Sequence, residues 1–245
     1  MQLSTTTTPS TPLVPSISPR FAQHKACGIL ETGTDSEQVC VPESPLTTED
    51  SIHLATHADQ KWLTAALVLA FVDDPIMRWM YPDTHQYLTH FPAFVKAFGG
   101  RAFEQQTAYA VNGYAGAAFW LPPGIEVDEQ PLIDLFQHSV FEAQQADLFA
   151  LLEQMGHYHP LQPHWYLSLL AVEPAHQRQG HGSALMQPIL AQCDRDQLPA
   201  YVESSKPDNI PFYQRHGFEL LGTIQAGGSP PLFPMLRPPN NFPIS

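Results

Sequence analysis

The residues from Gln177 to Ser183, Gln-Arg-Gln-Gly-His-Gly-Ser, have the types and spacing to hold an anion. They follow an apolar run with strand character, Trp165, Tyr166, Leu167, Leu169, Leu170 and Val172, which turns at Glu173-Pro174. They precede a helical pattern that sets Ala184, Leu185, Ile189 and Cys193 on one face. The first backbone N–H groups of a helix have no partner within it, and the peptide dipoles add partial positive charge there. Glycine lets the main chain come close enough for those groups to reach phosphate oxygens. Arg178 and His181 could add side-chain donors. A plain glycine turn between strand and helix is the competing reading of the hexapeptide alone. The pattern is not a P-loop, which needs Lys and Ser or Thr after its last glycine. Nor is it the dinucleotide fingerprint, because Leu185 stands where the third glycine belongs.

A second constellation lies downstream, from Pro199 to Phe218. Tyr201-Val202 reads as a short strand, and Pro207-Asp208-Asn209 as a turn opening a helix. Phe212 and Tyr213 ride on that helix, and Gly217 ends it before another apolar strand. Gln-x-x-Gly-x-Gly after a strand, followed by aromatic-Tyr-x-x-x-Gly-Phe before the last strands, closely resembles the GNAT superfamily of N-acetyltransferases. Within it, His164 to Phe218 looks most like puromycin N-acetyltransferase and its relatives. Shared features are the opening His-Trp-Tyr-Leu, the His-Gln ahead of the glycines, a proline inside the helix, and Glu-Ser-Ser followed by Asn-x-Pro-Phe-Tyr.

The resemblance implies an α/β (α+β) GNAT acyl-CoA N-acyltransferase fold: a mixed, mostly antiparallel sheet of about seven strands flanked by helices. The fourth and fifth strands are splayed, and the pantetheine arm of acetyl-CoA threads between them, pairing with exposed strand backbone as an added strand would. On that pattern Leu170, Ala171 and Val172 supply the backbone. Gln177, Arg178, Gln179, Gly180, His181, Gly182 and Ser183 hold the pyrophosphate, and Asn209 bonds the cofactor arm. Tyr213 stands beside the thioester sulfur. The implied activity is direct transfer of acetyl from acetyl-CoA, as co-substrate and without metal, to the amine of a small molecule in a ternary complex. A non-catalytic acetyl-CoA sensor or interaction module on the same fold is the alternative. Another acyl donor or an O-linked acceptor would keep the fold and change the product.

Such a transfer needs two proton events. A lysine-like amine, with pKa about 10.4, is free base in only about one molecule in two thousand at pH 7, so deprotonation costs about 4–5 kcal/mol. Some group must take that proton. Some members of the superfamily use a glutamate in the fourth strand, but Leu167 occupies the matching position here. Glu203 is the first choice, with Glu173 and His164 next, and a structural strand-end carboxylate is the competing reading of Glu203. The departing thiolate also needs a donor. A phenol near pKa 10 facing a thiol near 8.5 gives up its proton uphill by about 2 kcal/mol, so Tyr213 acts first as a hydrogen-bond donor and protonates late.

The elements that must position these groups follow in chain order. Residues 1–50 are rich in Ser, Thr and Pro, lack periodicity and read as a disordered tail, with a weak organelle-transit reading beside it. The transferase domain is expected over 51–237 and a loose end over 238–245. Ile52 to Ala55 reads as a first strand, and Thr56 to Asp59 as capping residues of a helix through Leu67 and Phe71. Asp73-Asp74-Pro75 breaks it. A short helix runs from Ile76 to Met80, and Pro82-Asp83 opens another towards Phe98. The pair Arg78-Trp79 falls where GNAT proteins form the acceptor floor, and is read as packing and surface. Thr107–Val111 and Tyr114–Trp120 flank Asn112-Gly113, a hairpin signal. Amphipathic stretches from Gln130 to Glu142 and Gln145 to Tyr158 lengthen the link to the fourth strand on the acceptor side. Glu219–Gln225 and Leu232–Arg237 read as the last strands. Pro188, inside the helix after the glycine loop, predicts a kink.

Composition bounds the rest. The chain has 245 residues and a formal charge of −13, which gives no electrostatic footprint for nucleic acid. The longest apolar run, Trp62 to Val72, is too short for a bilayer. Cys27, Cys40 and Cys193 form no disulfide framework, which fits a reducing, cytoplasmic compartment. A monomer or homodimer is expected. His157, His159 and His164 have a spacing that invites zinc, but no Cys or acid completes the set locally, and Pro160 and Pro163 interrupt any helix presenting them.

Overall fold

The computed structural model describes residues 52–240, so the reading of residues 1–50 as a tail lies outside them. Seven strands form one sheet in the order β1-β2-β3-β4-β5-β7-β6. They are β1 (Ile52–Leu54), β2 (Ala108–Val111), β3 (Gly116–Leu121), β4 (Trp165–Val172), β5 (Ala200–Ser204), β6 (Glu219–Leu220) and β7 (Phe233–Arg237). All neighbours are antiparallel except β4 and β5, which run parallel. A parallel pair needs a crossover, and the helix after the glycine loop supplies it.

One face of the sheet carries α1 (Gln60–Ala70), α2 (Pro75–Met80), α3 (Thr84–Gly99), α4 (Arg101–Glu104), α5 (Glu129–Ser139) and α6 (Glu142–Tyr158); the other carries α7 (His181–Asp196) and α8 (Ile210–Arg215). Strand alternation sorts the core between them. Tyr166, Leu169, Ala171 and Tyr201 pack on the six-helix side, while Leu167, Leu170, Val172 and Val202 pack under α7 and α8. The apolar stripe of α7, Leu185, Met186, Ile189, Leu190 and Cys193, is buried there. Fully burying such side chains stabilises by about 1.5–3 kcal/mol each.

Local sequence explains most boundaries. Asp74 caps α2 by accepting from the N–H groups of Ile76 and Met77, with Pro75 in the first turn, and Asp83 caps α3 through Gln86. Asp59 ties the turn before α1 by accepting from the Thr56 N–H and hydroxyl, at 2.8 Å each, instead of capping the helix itself. α7 passes through Pro188 as one helix, so the proline does not divide it.

Three expectations need correction. Asn112-Gly113 does not close a two-residue hairpin. Asn112–Tyr114 form a tight helical turn with Gly113 and Tyr114 at positive φ, and β3 begins only at Gly116. The Tyr114 hydroxyl donates to Asp59 at 2.7 Å and its ring stacks on Trp62, which holds the turn down on the start of α1. The strand expected over Glu219–Gln225 is cut to Glu219–Leu220, and pairing resumes only as a bridge between Ile224 and Leu232. The break falls at Gly222, where a Cβ would sit 2.6 Å from the Tyr158 hydroxyl of α6. The two amphipathic stretches divide earlier than expected, because Val140 is extended between α5 and α6.

Candidate active site

β4 and β5 pair only at Trp165 with Ala200 and Tyr166 with Tyr201, then part. Among the described residues, the β4 edge towards β5 has no strand partner from Leu167 to Val172, while its other edge stays paired with β3. The β3–β4 register shifts between Phe119 and Trp120, and Ser168 in that bulge donates to the Phe119 carbonyl at 3.1 Å. A cavity of about 770 Å³ occupies the gap and reaches both faces of the sheet. Leu170, Ala171 and Val172 of that edge line it.

On the α7 side the cavity meets the glycine loop. Gln177, Arg178, Gly180, His181, Gly182 and Ser183 line it. Gln179 does not, and its amide turns back to the Ala175 carbonyl at 3.5 Å. Gly180 is the N-cap of α7 at φ 87°, a conformation that favours glycine, and no side chain caps the helix. Arg178 also takes positive φ. The N–H groups of the first turn are therefore presented to the cavity with their dipole unopposed. The Gln177 amide donates to the Val172 carbonyl at 3.0 Å and pins the loop to the end of β4. His181 Nδ1 is buried with no hydrogen-bond partner among the described residues. Gly182 has a second duty, since a Cβ there would meet the Phe212 ring at 3.2 Å, so its absence lets α7 and α8 approach. With Arg178 and Arg215 on the same lining, these features fit a diphosphate and the arm attached to it.

Asn209 and Tyr213 both line the cavity. Tyr213 is 6% exposed and packs with Phe212 and Phe218. Burial pushes its phenol well above the ordinary range, so it remains a proton donor.

Glu203 enters from the other face, where Tyr201 and Tyr166 also lie. Its side chain is 3% exposed, and His159 Nε2 lies 3.1 Å from Oε1, close enough for an ion pair but off line for a hydrogen bond. Burial first, then the Glu203 charge, pushes the phenols of Tyr166 and Tyr201 far upward. The other base candidates lie off the cavity. Glu173 pairs with His176 at 3.3 Å. His164 Nδ1 contacts the Gln162 carbonyl at 2.9 Å, and burial lowers its pKa. Arg78 reaches the Pro82 carbonyl and does not line the cavity.

Sequence reasoning passed over Asp74, treating it as a helix breaker. Asp74 is 2% exposed, lines the cavity, and bridges α2 to the end of β5 through the Ser205 hydroxyl. Burial raises its pKa, partly offset by Ser205, by the backbone of α2 and by the charge of Lys206. The Asp-Asp-Pro string signals a cap, but nothing in it signals burial. His159 and His164 lie tilted to one another with 5.5 Å between ring centres, and among the described residues no group of three or more His, Cys, Asp or Glu side chains gathers as a metal site.

A mixed sheet parted beside an uncapped helix N-terminus, with a buried phenol at the gap, is the arrangement of the GNAT fold. Residues 139–220 match the family described as acetyltransferase (GNAT) domain. An uncharacterized N-acetyltransferase of Schizosaccharomyces pombe is 25% identical over 210 residues, covering 74% of this chain and 80% of the relative. Among solved structures, a Corynebacterium glutamicum protein described as histone acetyltransferase HPA2 and related acetyltransferase aligns with TM-score 0.56 and 23% identity, over 79% of this chain and 98% of its own. Arylalkylamine N-acetyltransferase 2 of Aedes aegypti aligns with TM-score 0.57 and 13% identity, over 77% and 98%. Drosophila melanogaster polyamine N-acetyltransferase aligns with TM-score 0.52 and 14% identity, over 76% and 98%. At these identities the structural likeness speaks for the fold. The chain has the GNAT fold and is an acyltransferase. Among the described residues no helix is long and apolar enough to cross a membrane.

Proposed function

We propose that the protein is an acetyl-CoA-dependent N-acetyltransferase that moves acetyl directly from the thioester to the amine of a small molecule. The observation that carries this reading is one cavity, open where β4 and β5 part, that Tyr213 lines from one face of the sheet and Glu203 from the other. The first turn of α7, with Arg178, grips the diphosphate, and Leu170 to Val172 pair with the pantetheine amides. Asn209 steadies the arm. The likeness to puromycin N-acetyltransferase covers this half of the site and supports its assignment to the cofactor.

The amine enters from the six-helix side. Glu203 accepts its proton, directly or through one water, and His159 steadies the pair. The amine nitrogen forms the new N–C bond with the acetyl carbon, and the C–S bond breaks. Tyr213 donates a hydrogen bond to the sulfur as charge develops and delivers its proton late, and the second proton shed by the nitrogen as the amide forms restores the phenol through water, leaving free coenzyme A, the N-acetylated amine and one proton on Glu203. A cytoplasmic setting fits the free thiol of Cys193 but adds nothing to the chemistry.

The test is acetyl-CoA turnover by the purified chain against a panel of amines, with coenzyme A affinity measured beside it. Amine-dependent release of coenzyme A supports the reading. Tight binding without turnover of any amine would leave a sensor, and no binding would end both.

A further inference from the structure

Beyond Glu203, the cavity continues under the helices into a chamber with apolar walls. Met77 of α2, Phe94 of α3, Phe136 of α5, and Leu151 and Met155 of α6 line it. The helical pair α5–α6 that lengthens the link before β4 thus builds one wall. Three of the chain's six methionines, Met77, Met80 and Met155, line the cavity, and flexible thioether side chains let a wall fit bodies of varied shape.

Charge in this half is sparse. Three acids line the whole cavity: Asp74, Glu203 and Asp208, the last in the turn beside Asn209 that opens α8, on the side given to the cofactor arm. Asp74 already serves the N–H groups of Ile76 and Met77 and the Ser205 hydroxyl, and Lys206 offsets its charge. Glu203 is left as the carboxylate able to meet one incoming ammonium. A second ammonium deeper in the chamber would lie against side chains that offer no counter-charge, and burying such a charge costs several kcal/mol.

Resting on the transferase reading above, we propose that the acceptor is a monoamine: a single primary ammonium facing Glu203, carried on an apolar alkyl or arylalkyl body that fills the chamber between α3 and α5–α6. Polyamines and amino acids, whose further charges would be stranded among Phe94, Phe136 and Leu151, are excluded by the same walls.

The experiment uses the full chain with saturating acetyl-CoA and the series propylamine, butylamine, pentylamine, hexylamine and phenethylamine, with spermidine and lysine as polar counterparts. kcat/KM should rise about fourfold with each added methylene until the chamber is full, and spermidine and lysine should fall at least about a hundredfold below hexylamine. Met155, only half buried, tests the wall. Met155→Glu should flatten the alkyl series and favour spermidine while leaving the KM for acetyl-CoA in place. A flat alkyl series in the native chain, or spermidine acetylated as well as hexylamine, overturns the chamber assignment and leaves the transferase reading standing. If coenzyme A binds and no amine of any class is acetylated, the transferase reading falls and takes this inference with it.

Discussion

His159 Nε2 lies 3.1 Å from Glu203 Oε1, joining an imidazole that is 31% exposed to a carboxylate that is 3% exposed. The contact crosses from the loop after α6 to Glu203 near the end of β5, so a proton taken inside the sheet has a neighbour that reaches water. Without it, Glu203 would be a buried charge facing two phenols that burial keeps protonated.

Glu203→Gln should therefore lower kcat/KM for a strongly basic amine by about 100-fold to 10,000-fold, the usual worth of a positioned base. The loss should shrink to less than about tenfold for an amine that is already unprotonated at neutral pH, since deprotonation is then no longer needed. Parallel steady-state kinetics with the two amines checks it. Equal losses for both would make Glu203 a structural carboxylate.

Tyr213→Phe should cut kcat by about a hundredfold or more and move the KM for acetyl-CoA by less than about threefold, because the hydrogen bond forms only as the sulfur gains charge. Burial holds the phenol well above the ordinary range. An acid with a raised pKa keeps its proton until higher pH, so kcat should show no Tyr213-dependent fall up to about pH 10. A descending limb at pH 8–9 that disappears in the Phe variant would contradict this.

Gly180→Ala places a side chain at φ 87° and should destabilise the protein by about 1–2 kcal/mol. It should also raise the KM for acetyl-CoA, because the first turn of α7 would tilt to relieve the strain. Gly180→Asn should recover part of both, since asparagine tolerates the left-handed region. Urea denaturation and steady-state kinetics read the two effects separately. An alanine variant with native stability and native KM would mean the turn is not constrained there.

What could be read from the chain without coordinates was set by short-range order. The glycine loop, Tyr213 and the strand before the loop each lie within a local pattern, and residues of all three line one cavity. The misreadings come from partners distant in sequence. Tyr114 is pulled out of its strand by Asp59, 55 residues away. Gly222 interrupts a strand because Tyr158 of α6 stands over it. Asp74 is recruited to the site by Ser205, 131 residues away, although its own neighbours mark only a helix start. Tyr166, Tyr201 and His159 gather around Glu203 because β4 and β5 run parallel, which no local periodicity encodes.

Asp74→Asn separates stability from chemistry. Asp74 caps α2 and holds Ser205, and asparagine keeps one acceptor oxygen for that work. Burial raises the carboxyl above its ordinary value of 3.8, so the folded state holds the proton more tightly than the unfolded state. The stability this contributes is complete below about pH 4 and is lost as pH rises through the folded-state value. Asparagine does not titrate, so the melting temperature of the native chain should fall relative to that of Asp74→Asn as pH goes from 4 to 7. Because the carboxylate is spent on α2 and Ser205 rather than on a substrate proton, kcat should drop by less than about tenfold, against the much larger loss expected at Glu203. Melting curves across that pH range and kcat at neutral pH decide both points. A pH-independent difference in melting temperature would refute the burial argument. A hundredfold loss of kcat in a variant that still melts cooperatively would make Asp74, not Glu203, the group that takes the amine proton.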